Sequence, residues 1–113
     1  RLAIDLVYSQ LKTQPRTSTG NFWHKEIYPN QIWLDGLYMA QPFYMQYEVT
    51  YNNSTNCKDC YQQFVNVYNL MRDLRNGLYY HAYDDSRTSF WCDKVTGLSD
   101  NFWLRALGWY AML

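Results

Sequence analysis

The sequence predicts an all-α chain built from antiparallel helical hairpins, and three observations predict it. Apolar residues recur at helical spacing in several separate stretches. The breaks between those stretches are short and carry Gly, Pro or runs of Asn, Ser and Thr. Strand-like alternation is confined to scraps. Helix, short loop, helix is the signature of packed helical hairpins, each burying one apolar stripe against its neighbours.

Taken in order, residues 1 to about 13 carry Leu2, Leu6, Val7 and Leu11 on one helical stripe that ends near Pro15. Residues 16–20 form a polar turn, and 21–28 a short extended segment rich in aromatics before Pro29. Asn30 is expected to cap a second helix over 31–40, apolar nearly all round and therefore deep in the protein. Asp35 is conspicuous there, because an unpaired buried carboxylate is costly; a structural acid would need a partner such as an arginine. Gly36 beside it thins the helix and lets another group approach.

Pro42 suits the first turn of a third helix running to about Tyr51, followed by a polar loop over 52–56. Asn56 caps the next helix, with Asp59 in its first turn and Arg72 and Arg75 in its last, matching the helix dipole. Asn76 and Gly77 end it. A polar-aromatic loop over 77–98 follows, and Ser99 is expected to cap a final helix carrying Phe102, Trp103, Ala106, Leu107, Trp109 and Tyr110.

At 113 residues the chain holds at most one domain. It begins on helix-like sequence at Arg1 and stops at Leu113 inside an apolar periodic run, so it is expected to be a fragment of a larger fold. Ten basic residues balance ten acidic ones, which removes the electrostatic case for nucleic acid or an anionic membrane surface. No apolar run approaches the roughly 20 residues needed to span a bilayer. Three cysteines cannot all pair with one another. Cys57 and Cys60 with a distant Cys92 fall short of a four-ligand zinc site, so buried reduced thiols are expected, with no metal or other cofactor, in the cytoplasm.

Aromatic residues make up 19 % of the chain, enough to suggest an aromatic-lined cleft as well as a core. They concentrate in residues 77–93, where the chain closes on Asp93 directly behind Trp91 and Cys92. A carboxyl group beside aromatic faces suits sugar chemistry: a flat wall for the ring, and an acid whose proton is held by poor solvation. The competing reading of Asp93 is a loop acid capping the turn that follows it.

Three stretches together resemble one family. His24-Lys25, Tyr28-Pro29 and Trp33-Leu-Asp-Gly-Leu-Tyr-Met-Ala40 with Pro42-Phe43 resemble the first signature of the unsaturated rhamnogalacturonyl hydrolases, glycoside hydrolase family 105. Gly77-Leu-Tyr-Tyr-His81 with Asp84, Ser86 and Trp91-Cys-Asp93 resembles the second, and Asn101-Phe-Trp-Leu-Arg-Ala-Leu-Gly-Trp-Tyr110 the third. Cys92 stands where the family usually has a small residue. The resemblance implies a six-hairpin α/α toroid, of which this chain supplies part, acting on an unsaturated uronyl oligosaccharide from pectin.

The chemistry so implied starts from a vinyl ether. A 4,5-unsaturated galacturonyl residue is protonated at C4, water adds to the cation at C5, and the hemiketal opens and collapses to release the neighbouring sugar. By match to the motifs, Asp93 is the general acid and base, with a pKa raised by burial against Trp91 and repulsion from Asp35. Asp35 is the second carboxylate, His81 hydrogen-bonds the sugar and Trp91 forms part of its wall. Trp33, Trp103, Arg105 and Trp109 are read as core or cleft support, and His24 is unassigned. Two other functions fit the same residues: an unsaturated glucuronyl hydrolase, and a non-catalytic aromatic-rich module binding sugar or protein.

Overall fold

The computed structural model describes residues 1–113 as α1 (Leu2–Thr13), β1 (Gln31–Trp33), α2 (Leu34–Tyr51), α3 (Cys57–Met71), β2 (Ala82–Asp84) and α4 (Leu104–Ala111). Helix α2 is the hub, touching α1, α3, α4 and β1. Its buried residues Leu34, Leu37, Gln41, Tyr44 and Glu48 follow the alternating three-and-four spacing of a single helix face. That stripe continues across Pro42, so the two helices expected on either side of the proline are one. A proline inside a helix costs about 3 kcal/mol through its missing N–H and its clash with the preceding turn. Burial along the whole stripe outweighs it.

The all-helical expectation needs one further correction. Residues 31–33 do not start a helix; they form β1, paired antiparallel with β2 in the register Gln31↔Asp84, Ile32↔Tyr83, Trp33↔Ala82. Asn30 adopts a φ of 64°, the left-handed conformation that asparagine tolerates, and so closes a turn instead of capping a helix. A β-branched residue beside an aromatic favours the strand.

The remaining boundaries shift for local reasons. Helix α3 starts where expected but ends at Met71, because Arg72 is extended and bridges Tyr79. The turn beyond it is organised by Asp73, whose carboxylate accepts hydrogen bonds from the Arg75 guanidinium and backbone and from the Tyr80 hydroxyl; these hold its pKa at about 2. Ser99 does not cap a helix either. Its N–H donates to Ala82 O at 2.9 Å and it bridges Cys92, so α4 begins only at Leu104.

The core has two centres. Ile32, Leu34 and Leu37 pack on Val67, Met71, Tyr83 and Ala106. Tyr8, Phe22, Tyr44 and Cys60 form the second. Leu34, Val67 and Met71 are fully buried, each contributing about 1.5–3 kcal/mol by leaving water. Within α1 the outcome differs from the expected stripe: Leu2 is 88 % exposed and Leu6 63 %, and Tyr8 is the residue that goes inside. No helix is long and apolar enough to cross a membrane.

Tyr8 reaches Glu48, which is fully buried and also accepts hydrogen bonds from Asn52 Nδ2, Asn56 N and Asn56 Nδ2. Burial alone would raise the Glu48 pKa; the Tyr8, Asn56 and Asn52 donors more than offset that and lower it. A lowered folded-state pKa stabilises the fold above the unfolded value and is lost as pH falls through the carboxylate range. In the complete protein, Glu48→Gln is expected to destabilise by about 1–3 kcal/mol at neutral pH, since one amide oxygen cannot serve all four donors. The deficit relative to wild type should shrink on acidification below the unfolded glutamate value, as read by thermal melts at several pH values. A deficit independent of pH would show that the ionised form of Glu48 is not what the fold selects.

Candidate active site

The β1–β2 pairing continues beyond the strands as Leu34 N donates to His81 O at 3.1 Å. Helix α2 therefore starts at the edge of the strand pair, with Asp35 in its first turn and only 4 % exposed. On the other side His81 N donates to Asn101 O at 3.0 Å, which leads the chain into α4 and delivers Arg105. Arg105 meets Asp35 through Nε at 3.2 Å and a terminal nitrogen at 3.5 Å. The buried acid is thus paired with an arginine, the partner that such a group requires.

His81 lies alongside, its Nδ1 3.8 Å from Asp35 Oδ2. That separation is too long for a hydrogen bond, and Nδ1 is buried without a partner. Burial lowers the His81 pKa, partly countered by Asp35 and reinforced by Arg105, so the imidazole is neutral at physiological pH. Trp33 and Trp103 flank it at ring distances of 5.2 and 5.1 Å, and the Arg105 guanidinium lies 4.8 Å from the centre of the Trp103 ring. His24 stacks on Trp33 at 4.3 Å and 7°, and Tyr28 stacks on the same indole at 5.3 Å. Burial, then the neighbouring Lys25, lowers the His24 pKa to about 4, so this imidazole is neutral too.

The four residues expected to do the chemistry are not all gathered at one point. Asp35 and His81 are neighbours. Asp93 is exposed, and its carboxylate accepts hydrogen bonds from Val95 N at 2.7 Å and Thr96 N at 2.8 Å, capping the turn that follows it. Those amide donors lower its pKa, the opposite of the expected rise; neither Trp91 nor Asp35 is among the groups acting on it, and Arg87 is. Trp91 is half-buried and joins none of the aromatic pairs.

Three residues matter more than the sequence reading allowed. Arg105 is more than core or cleft support, since it pairs with the buried acid; the need of Asp35 for a cation is the signal in the sequence. His24 had no role, and its stack on Trp33 has no signature in sequence spacing. Asp84 is 1 % exposed and ties down the loop after β2. The thiols are free: Cys60 and Cys92 are buried, Cys57 only half so, and burial pushes Cys60 up to about 12. No three His, Cys, Asp or Glu side chains converge as a metal site would require.

Comparison with known proteins finds glycoside hydrolases among those this chain resembles. The family described as Glycosyl Hydrolase Family 88 matches residues 1–113. The chain is 38 % identical over 74 residues to Protein Atu3128 of Agrobacterium fabrum, a match covering 66 % of this chain and 31 % of that protein. It is 28 % identical over 115 residues to the unsaturated rhamnogalacturonyl hydrolase YesR of Bacillus subtilis, covering 97 % of this chain and 31 % of the relative. A solved family 105 glycoside hydrolase from C. acetobutylicum superposes with a TM-score of 0.95 at 45 % identity, over 97 % of this chain and 31 % of that one. The chain therefore spans about a third of the length of the proteins it matches.

Gly36 makes the His24 stack possible. A Cβ at that position would lie 2.9 Å from His24 Nδ1, closer than packed carbons come. Gly36→Ala is expected to push the imidazole off Trp33 and into water, moving its titration from about 4 toward the free value of 6.5. Helix propensity favours alanine by about 1 kcal/mol, so overall stability should change little. Titration of the His24 ring followed by NMR is the check, and an unchanged midpoint would show that the contact with α2 does not hold the ring.

Proposed function

The chain belongs to glycosyl hydrolase family 88, and from that premise we propose that the complete protein hydrates the 4,5 double bond of unsaturated galacturonyl-rhamnose oligosaccharides. The observation that carries this reading is a buried Asp35 held by Arg105 beside a neutral His81, between the rings of Trp33 and Trp103. Arg105 is half exposed, with a side-chain exposure of 52 %, so it retains donors for an anionic group. A uronyl carboxylate is such a group, and the tryptophans supply apolar faces for its ring. The match to an unsaturated rhamnogalacturonyl hydrolase supports the galacturonyl-rhamnose choice. Four helices and a small strand pair fit one portion of a six-hairpin α/α toroid.

In the proposed reaction Asp93 gives a proton to C4, leaving a cation at C5 that the ring oxygen stabilises. Asp93, now a carboxylate, takes a proton from water as that water bonds to C5. The resulting hemiketal opens to a ketone at C5, and the hemiacetal left at C1 expels the neighbouring sugar with its own glycosidic oxygen. Asp35 orients the water or the substrate, His81 hydrogen-bonds the sugar, and Trp91 forms part of the wall. In the free chain the Asp93 pKa is lowered. Substrate arriving over Asp93 excludes water and brings a second carboxylate, both of which raise it toward the range a general acid needs. No cofactor enters these steps. The reaction is assigned to the cytoplasm, where the three free thiols stay reduced.

Asp93→Asn in the complete protein is expected to lower kcat on the unsaturated galacturonyl-rhamnose disaccharide by about a hundred- to ten-thousand-fold, with KM within a few-fold. Loss of the vinyl-ether absorbance gives the rate. Because backbone hydrogen bonds lower its pKa, the ionised Asp93 favours the fold above the unfolded carboxylate value, so Asp93→Asn should melt slightly lower at neutral pH. Retention of most of the wild-type rate would remove Asp93 from the mechanism. Faster turnover of an unsaturated glucuronyl-hexosamine disaccharide by the wild type would favour the glucuronyl hydrolase reading.

A further inference from the structure

Asp84 is a buried carboxylate that the proposed mechanism does not use. No lysine or arginine bridges it. Its charge is instead met by its own loop: Oδ1 accepts from Ser86 N at 2.9 Å, Ser86 Oγ at 2.6 Å and Arg87 N at 3.2 Å. Oδ2 accepts from Ser89 N at 2.9 Å and Ser89 Oγ at 2.5 Å. Burial acts to raise its pKa and the Ser86 and Ser89 donors act to lower it; the net direction is down, so the carboxylate is ionised at neutral pH.

The network does not stop at the loop. Ser89 Oγ accepts from Gln31 Nε2 at 3.0 Å, and Gln31 Oε1 accepts from Trp33 Nε1 at 3.0 Å. Gln31 is 7 % exposed, so water has little access to replace these bonds. Every proton in the chain points the same way. The indole N–H can only donate, which commits the Gln31 oxygen to Trp33 and its NH2 to Ser89. The Ser89 hydroxyl proton must then go to an acceptor, and an ionised carboxylate is one that cannot reverse. We propose that Asp84 is a positioning residue that sets the Trp33 indole against the sugar site through Ser89 and Gln31. Trp33 lies 5.2 Å from His81 and two residues before Asp35, so a tilt of its ring moves the wall beside the acid. The Ser89 carbonyl also accepts from Cys92 N and Cys92 Sγ, each at 3.3 Å, which joins the same network to the segment carrying Trp91 and Asp93.

Asp84→Asn separates this role from simple loop stability. An amide has one oxygen, and the Ser86 side, with two backbone N–H donors and a hydroxyl, claims it, so the Ser89 side faces NH2. The Ser89 hydroxyl then reverses, Gln31 turns its oxygen toward Ser89, and its NH2 opposes the indole N–H. The proposal rests on the sugar-site reading above, so the test has two arms. In the complete protein, with the unsaturated galacturonyl-rhamnose disaccharide as probe, Asp84→Asn is expected to lower kcat/KM about tenfold, mainly through KM. In a Trp33→Phe background the same change should cost less than about threefold, because the residue it positions is gone. The second arm needs no turnover: Asp84→Asn should alter the near-ultraviolet circular dichroism of the protein, and that difference should vanish in the Trp33→Phe background.

Gln31→Met guards against a variant that fails to fold, since it cuts the chain at Trp33 and leaves every Asp84 contact intact. It should reproduce both the KM and the spectral changes. Equal losses in both backgrounds, or a fall in Tm with KM and the Trp33 signal unchanged, would overturn the proposal, as would an unaffected Gln31→Met. Absence of turnover in the wild type would count against the substrate reading alone and leave the spectral arm to decide.

Discussion

The antiparallel pairing of Gln31–Trp33 with Ala82–Asp84 is the constraint on which the rest of the site depends. Three residues on each strand would be marginal alone, but the ladder extends at both ends. Leu34 N bonds His81 O at one end and Asp85 N bonds Asn30 O at the other, while Ser99 N to Ala82 O, Asp84 N to Gly97 O and His81 N to Asn101 O join residues 97–101 to the far side of β2. These backbone bonds bring an acid from one stretch, a histidine from a second and an arginine from a third to one place. Gly97 shows how tightly they are drawn: its φ is +78°, and a Cβ there would lie 2.6 Å from Asp84 O. Only glycine meets both conditions.

The acids in this chain divide by how their charge is met. Asp59 faces Arg16 through both oxygens at 2.7 Å and accepts from Tyr44, Glu48 relies on tyrosine and asparagine donors, and Asp73 and Asp84 are held by their own turns. Each is satisfied without a ligand, which marks it as part of the fold. Asp35 is different. Its partner Arg105 is half exposed, and the imidazole beside it has an unsatisfied buried Nδ1. Asp93 is different again, open to solvent with two backbone donors on its carboxylate. A sugar seated between them would meet two carboxylates that do not touch each other.

Much of this was legible in the sequence, and the misses have physical causes. The polar loop and amphipathic face of α3 placed its start correctly, although Asn56 does not cap it: its amide donates to Glu48 and Tyr8 instead. Pro42 misled because proline is a local signal, while the buried stripe from Leu34 to Glu48 is a tertiary one and prevails. The strand at Gln31–Trp33 exists only through its pairing with residues 82–84, which no nearby spacing announces. For the candidate site, the motif resemblance singled out Asp35 and His81, which lie side by side, and the rule that a buried acid needs a partner anticipated an arginine. The Asp93 environment differs from the expected one because Val95 N and Thr96 N hold its carboxylate in an exposed turn, where a tryptophan two positions away in sequence does not bury it.

The proposed mechanism asks that one sugar bridge two acids the chain itself keeps apart. A crystal structure of the complete Asp93→Asn protein with the unsaturated galacturonyl-rhamnose disaccharide tests that most directly. The expected density puts C4 of the unsaturated ring within about 3–3.5 Å of the residue 93 side chain, the uronyl carboxylate on Arg105 and the ring against tryptophan. A disaccharide seated with C4 against Asp35, or bound away from both acids, would contradict the assignment of Asp93 as the proton donor.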